Sequence, residues 1–483
     1  MNIKNNIQTV NIESEGLIFK FLPSGDINQI KFNNNNVSMY KGTSLDGTLG
    51  NLYLKTEDED GIVSYTKLIG VDSPSSFAVK DNKAIYKGTF EGISYKLVLT
   101  VNHHTWYWTL NLTGEKNASV FYVQDISLNS PSANEAYNCQ YLDHTVFETE
   151  TGYHIATKQN QGEPLLVQSG SLTKNVSYAT DGFDFFGTAY KLYNVPTALV
   201  ETGLPSKVYQ YELACHCFET ENYDLSNGVE VVFYSSLLEN YHTLGSKVDV
   251  NEVIRQYNEI NHDVNVETLN KVDLRVDFQN TYPYVSLKGK VFNDLKKNRV
   301  DEEYLDGELV SWFDKNGVHY VDSLKEVYVE RPHGMVHTSN GLKPIDDKTF
   351  STTCWIFGIF NSHICYGNTN FNKMLTHNKS ALNVLKTSGE RIFVKIDNEY
   401  YLLTVPGLYS MDVNTSTWYY QIKNDVLKVT SSVRYETGLV QTNIESLKNK
   451  KYDFIVSDNL MMGVDEDAHP ISYEVIDSKI VFK

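Results

Sequence analysis

Ile93-Ser94-Tyr95-Lys96-Leu97-Val98-Leu99-Thr100-Val101 is the passage whose reading decides the fold class; His103-His104 follow it, and then Trp106, Trp108, Leu110 and Leu112. Successive side chains of a strand point to opposite faces, so Ile93, Tyr95, Leu97, Leu99 and Val101 line one side. The second run repeats the period of two, and the two histidines sit where the chain must reverse. The pair therefore predicts an antiparallel hairpin whose joined apolar face buries against a second sheet. Further runs rich in Val, Ile, Phe and Tyr recur at residues 229–234, 391–395 and 417–429. The fold class expected is all-β, mostly strand.

Two windows break that rhythm. At residues 250–260, Val253, Ile254, Tyr257 and Ile260 fall on one side of a helix, with Glu252, Arg255 and Glu259 largely on the other. Phe371, Met374, Leu375, Leu382 and Leu385 have roughly helical spacing, and Thr387-Ser388-Gly389 would stop a helix over residues 370–386. Residues 292–309 are charged and read as a second helix or a solvated connection. The domains expected are 1–262, a connection at 263–300 that is helical or irregular, and 301–483. Internal repeats and Pro/Gly/Ser linkers are absent.

At 483 residues the chain is too long for one ordinary core. Hydrophobic residues make up 41% and charged residues 21%, which fits a globular chain rather than a disordered one. The 33 Tyr against 5 Trp suit half-buried strands; the same rings, apolar on the face and polar at the edge, also suit sugars. The formal net charge of −18 repels polyanions, so neither nucleic acid nor an anionic membrane is expected as a partner. The polar first nine residues carry no secretory signal, and no apolar run is long enough to span a bilayer. Five thinly spread cysteines do not read as a disulfide framework, so the cytoplasm is the expected compartment.

Walker loops, dinucleotide-binding glycines, Gly-x-Ser-x-Gly elbows and HExxH are all absent from the sequence. Three clusters remain. In Cys215-His216-Cys217 a strand would place both thiols on one face and the imidazole on the other, which argues for core filling and against a metal. Glu148 and Glu150 could serve as a glycosidase acid/base pair. Both lie on one face of one strand, however, where a solvated face is the better reading, because such pairs normally oppose each other across a cleft. Arg331-Pro332-His333-Gly334 opens a loop that runs to His337 and Asn340; Pro and Gly fix its backbone, and Arg offers a planar donor fork. Arg331, His333 and His337, with Asn361 and Asn370 farther on, are the candidates for carbohydrate binding or an interface. A purely structural role stays open for them.

Longer strings carry more. TETGYHIATKQNQ (149–161), YATDGFDFFGTAYKL (178–192) and LPSKVYQYELA (204–214) occur in that order in the first half. ERPHGMVHTSNGL (330–342), STTCWIFGIFNSHICYGNTNFNKML (351–375) and LNVLKTSGERIFVK (382–395) follow in the second. This series resembles the N-terminal region of the 1,2-β-oligoglucan phosphorylases in family 94 of the glycoside hydrolases. The resemblance implies two antiparallel β-sandwich domains of galactose-mutarotase-like type. It also implies inverting phosphorolysis of β-1,2-linked glucooligosaccharides to α-glucose 1-phosphate, without metal or organic cofactor. In the family an (α/α)6 barrel carries catalysis, and nothing in these residues reads as its paired helices. The expectation is therefore a component with no catalytic residue of its own, the barrel lying on a separate chain. The alternative is a stand-alone carbohydrate-binding or interaction module. Residues 331–334 and 354–360 are the expected docking face, although residues 354–360, apolar on both strand faces, could equally be a strand buried inside the second sandwich.

Overall fold

The computed structural model describes residues 8–483 apart from 131–138, 163, 202, 211–212, 242–244, 246, 263, 265, 273–279, 368–372, 377–379, 436 and 464–470. The chain divides into two compact units. The first takes in the described residues up to Gly187 together with Val195–Leu274; the second joins Thr188–Asn194 to the described part of Arg275–Lys483.

In the first unit the hairpin predicted from period two is present. Ile93–Asn102 and Thr105–Thr113 pair antiparallel, with Trp106 opposite Val101, Trp108 opposite Leu99 and Leu110 opposite Leu97. These strands are central in an eight-stranded sheet; Val229–Glu239 pairs on the other side of Thr105–Thr113. A six-stranded sheet contributes Leu52, Leu54, Val120, Tyr122 and Phe218 to the same core as Leu97, Leu99, Trp106 and Trp108. Burying each tryptophan contributes roughly 4–6 kcal/mol of gross transfer free energy. Alternation sends Tyr107, Val232 and Tyr234 to the opposite face of the eight-stranded sheet. There the predicted helix, Val250–Glu259, covers them with Val253, Tyr257 and Ile260. Asp249 caps it by accepting the amide of Asn251 at 3.0 Å.

The second unit is also a sandwich. Phe350–Trp355, Ile359–Tyr366 and Glu390–Ile396 belong to an eight-stranded sheet; Leu408–Met411, Thr415–Ile422 and Asp425–Arg434 belong to a seven-stranded one. Ile356, Phe360, Ile392 and Val394 from the former meet Tyr409, Trp418, Tyr420 and Val429 from the latter. Among the described strands of this unit pairing is antiparallel, except that Asn280–Thr281 runs parallel to Glu399–Leu402. The all-β, antiparallel architecture expected from the sequence is thus the observed one.

Two local readings resolve differently, and a third, left open between a docking face and a buried strand, resolves to burial. Residues 292–309 are neither one helix nor a solvated connection. A short helix, Lys290–Leu295, gives way to a hairpin of Arg299–Leu305 and Glu308–Asp314, turned at Asp306-Gly307 with φ of 51° and 84°. The helix expected over 370–386 is not present among its described residues. Lys373–Met374 pairs with Ile364 and Cys365, and Leu375 and Asn383 adopt positive φ. The buried Leu375, Ala381, Leu382 and Val384 are core contacts of an irregular segment, not a helical stripe. Cys354, Ile356, Phe357, Ile359 and Phe360 form the end of a hairpin turned at Gly358 and are buried on both sides, so they offer no docking face.

Candidate functional site

The Arg331-Pro332-His333-Gly334 loop begins where a 3-10 helix, Ser323–Tyr328, ends. Asp322 starts that helix by accepting the Leu324 amide at 3.0 Å. One tight turn then sends Glu326 inward and leaves Tyr328 half-exposed, its hydroxyl donating to Asp306 Oδ2 at 3.1 Å. Glu326 Oε1 accepts the backbone N–H of His333 at 3.3 Å and also its Nδ1–H. The carboxylate thereby selects the imidazole tautomer and leaves Nε2 as the nitrogen not engaged by it.

On the other oxygen of Glu326 lies Lys191, from the short helix Tyr190–Tyr193 of the same unit. Its Nζ stands 3.7 Å from Oε2 and donates to the carbonyl of Val329. Thr188 Oγ1 ties the same segment to the carbonyl of Val327. Both members of the ion pair are wholly buried, and Oε2 has no hydrogen-bond partner. Burial pulls the Lys191 ammonium below its usual range, and Glu326 opposes that shift.

His319 completes the cluster. It stacks on Phe313 at 4.3 Å between centroids, meets the His333 ring edge-on at 6.2 Å, and hydrogen-bonds Ser311 Oγ at 2.7 Å. Burial, followed by the neighbouring His333 and Lys325, pushes it down to about 4, so it is neutral at neutral pH. Arg331, Phe313 and Tyr328 are exposed, and the largely buried Lys325 pairs with the half-exposed Glu303 at 2.5 Å. The arrangement is a hydrogen-bonded polar base beside exposed aromatic and charged side chains. It can orient donors and present ring faces to a neutral, hydroxyl-rich ligand or to a protein.

The structure brings Arg331 and His333 together here and separates the other candidates. His337 lies wholly inside the sandwich, its Nε2 hydrogen-bonded to Ser416 Oγ at 2.8 Å. Asn361 is equally buried; Oδ1 accepts from Thr352 and Ser431 at 3.1 and 2.7 Å, and Nδ2 donates to Glu390 and Thr442. As they stand, neither reaches solvent. Asn370 lies outside the described residues. Lys191, Glu326 and His319 were not legible as site residues; Lys191 pairs with groups 138 residues away, and no local pattern announces that.

The clusters of the first unit fill structural places. His216 bonds Thr157 Oγ1 and Ser169 Oγ, both at 2.6 Å, while Cys215 and Cys217 are buried as free thiols. Both imidazole nitrogens are thus engaged between the sheets, in a chain that runs on from Thr157 to His144 at 2.6 Å and from Ser169 to Ser235 at 2.7 Å. Glu148 and Glu150 are exposed. Among the described residues no group of three or more His, Cys, Asp or Glu is placed to hold a metal ion, and no helix is long and apolar enough to cross a membrane.

Comparison with known proteins accounts for both units. Residues 20–235 match the SOGP N-terminal domain, and residues 297–483 match the glycoside phosphorylase supersandwich domain. A 1,2-β-oligoglucan phosphorylase of Listeria innocua serovar 6a is 31% identical over 484 residues, covering 98% of this chain and 43% of that protein. The chain therefore spans less than half the length of this curated relative. Among solved structures, a galactose mutarotase related enzyme of Lactobacillus acidophilus superposes with a TM-score of 0.29 at 6% identity, over 48% of this chain and 98% of its own. A bacterial glucoamylase superposes with 0.32 at 11% identity, over 53% and 38%. The sandwich assignment rests on the strand pairing described above rather than on these low superpositions. The two domain matches in order, and the identity that runs through both, show that this chain carries the SOGP N-terminal and glycoside phosphorylase supersandwich domains and is similar to the sandwich part of that 1,2-β-oligoglucan phosphorylase.

Proposed function

We propose that this chain is the non-catalytic β-sandwich component of a 1,2-β-oligoglucan phosphorylase, acting with a catalytic (α/α)6 barrel carried on a separate chain. The observation that carries this reading is the occurrence of both phosphorylase sandwich domains in order, over residues 20–235 and 297–483. In the reaction, a carboxylic acid of the barrel protonates the glycosidic oxygen as its bond to the anomeric carbon breaks. An oxygen of inorganic phosphate bonds that carbon from the opposite face, giving α-glucose 1-phosphate and a glucan shorter by one residue. No residue of this chain has a catalytic role in that scheme. Arg331 and His333, held by Glu326, are the proposed contacts to the β-1,2-linked glucooligosaccharide or to the barrel. No metal or organic cofactor takes part, and the complex works in the cytoplasm. Residues 1–262 and 301–483 act as the two sandwich domains, joined through 263–300.

The test is to incubate the purified chain with sophorose or longer β-1,2-glucans and phosphate, alone and with a barrel polypeptide co-expressed, and to assay glucose 1-phosphate. The expected result is product only with the partner. Turnover by the chain alone would place the acid within these residues. The exposed aromatic side chains Phe313 and Tyr328 favour a second reading, a glucan-binding module. Calorimetric binding of β-1,2-glucan, with indifference to every barrel offered, would select it.

A further inference from the structure

Six buried side chains of the first unit are joined end to end by hydrogen bonds. Thr157 Oγ1 stands 2.6 Å from both His144 Nδ1 and His216 Nε2. His216 Nδ1 lies 2.6 Å from Ser169 Oγ, which lies 2.7 Å from Ser235 Oγ. Ser235 Oγ in turn lies 3.3 Å from the Tyr122 hydroxyl. Strand alternation builds this path. His144 is paired opposite Thr157, and Ser169 opposite Ser235, on the inward face of the eight-stranded sheet; Tyr122 and His216 face them from the six-stranded sheet. The bonds from Thr157 to His216, from His216 to Ser169 and from Ser235 to Tyr122 therefore span the gap between the sheets. Counting hydrogens orders them. A hydroxyl has one hydrogen to give, and a neutral imidazole donates through one nitrogen and accepts through the other. The chain is complete only if it runs wholly from Tyr122 to His144 or wholly the other way. The two directions differ at Tyr122, whose hydroxyl meets Ser235 Oγ as its one acceptor among the described residues; the neighbouring Trp106 indole can only donate. A chain running from His144 strands the Tyr122 hydrogen in the core.

We propose that the chain runs from Tyr122 to His144, with the hydrogen of both imidazoles on Nε2, and that His144 is the acid-sensing end of this clasp between the sheets. His144 is 8% exposed and the other members at most 1%, so a proton arrives there first. It binds Nδ1 and meets the hydrogen of Thr157. Thr157 must then turn to His216 Nε2, His216 must carry its own hydrogen on Nδ1, and Ser169 and Ser235 must turn round. The balance is one proton gained, on His144, and one hydrogen bond lost, at Tyr122. The titratable groups turned toward His144 are His216, at 6.4 Å between ring centroids, Tyr122, and the Cys139 thiol, which accepts the Ala214 amide at 3.5 Å. Glu148, on the same face of the His144 strand, is exposed; Asp181, opposite Ala214, accepts the amides of Phe183 and Leu213. Asp143 and Lys158 alternate to the outer face of one sheet, and Asp125, Cys215 and Cys217 to that of the other. Burial pushes His144 down to about 4 and His216 well below the ordinary imidazole range. Neutral His144 thus contributes stability that is complete above the unfolded value near 6.5 and is lost as pH falls toward 4.

The test is nitrogen NMR on the full chain with isotopically labelled histidine, because ring-nitrogen shifts separate the two neutral tautomers and the charged form. Loss of a signal in His144→Gln and in His216→Gln identifies the two rings. At neutral pH both should carry hydrogen on Nε2; His216 with hydrogen on Nδ1 would overturn the proposal. The second measurement uses Ser169→Ala, which cuts the chain between His216 and Ser235 at a residue that does not touch His144. One nitrogen of His216 is then unpaired in either direction, so reversal strands nothing more. The proton affinity of His144 should rise about tenfold, leaving its ring almost wholly neutral in wild type and about half charged in the variant near pH 5. A serine that merely fills space would leave that titration where it was, and equal charge on His144 in the two proteins would overturn the proposal. Circular dichroism checks that the variant keeps the wild-type fold; if it does not, the wild-type tautomers decide alone.

Discussion

Replacing Glu326 by Leu should strip the buried Lys191 ammonium of its counter-ion and His333 of its acceptor, while adding nothing that can hydrogen-bond either. Lys191 and Glu326 are both wholly buried, with Nζ 3.7 Å from Oε2. Little of the charge is therefore screened by water, and the cost is that of an uncompensated interior cation, about 3–5 kcal/mol. For a unit of roughly 200 residues that corresponds to a fall of about 6–20 °C in Tm. Lys191→Met alone should cost a similar amount. The double variant Lys191→Met/Glu326→Leu removes both charges together and should recover most of the loss, because the pair's attraction largely offsets its own desolvation. Urea denaturation of all four proteins, followed by tryptophan fluorescence and fitted unit by unit, gives the coupling. The transition of the first unit serves as an internal control, since the pair lies wholly in the second. A loss below about 1 kcal/mol for Glu326→Leu would refute the reasoning, because that is the scale of a solvent-exposed pair.

Three further outcomes are expected. His337 is pushed down to about 4, chiefly by burial, with the Val413 carbonyl and Asp412 pulling the other way. Its neutral form thus contributes stability that is complete above the unfolded value near 6.5 and is lost as pH falls toward 4. The stability gap between wild type and His337→Gln should accordingly narrow across that window in urea titrations; a gap independent of pH would contradict the burial argument. Gly358→Ala should destabilise by about 1–3 kcal/mol in the same assay, since φ is +78° and an added Cβ would sit 2.3 Å from the Leu403 carbonyl oxygen. If the proposed assembly with a barrel chain forms, Arg331→Ala or His333→Ala should lower its kcat/KM at least about tenfold with the isolated chain's Tm nearly unchanged for Arg331; full activity in both variants would remove the loop from the proposed site.

Much of the strand content was legible because alternation is a local property. Ile93 to Val101 and Trp106 to Leu112 display their period within a dozen residues, and the helix over Val250–Glu259 announces itself by Val253 and Tyr257 in the same way. The misreadings have local causes. Residues 370–386 are apolar without a clean period, and an apolar residue buried by distant chain looks the same as one buried by its own helix; for 354–360 the same ambiguity left a docking face and a buried strand equally open, and the structure shows the buried one. The hairpin at Asp306-Gly307 was hidden by strands so rich in charge that they mimic a connection.

The candidate site divides along the same line. Arg331, Pro332, His333 and Gly334 stood out because residue type and adjacency suffice to mark an irregular, donor-bearing loop. Nothing local distinguishes Lys191 in a short apolar string, or Glu326 beside Lys325, as a buried ion pair. Nor does local pattern separate the partly exposed His333 from the wholly buried His337 four residues on. The sequence by itself determined the period of the strands, the sign of the net charge and the resemblance that the ordered strings carry. Which side of each strand meets water and which charges are sealed inside were decided only by the tertiary structure, because desolvation depends on every chain segment that packs against a group and not on its neighbours in sequence.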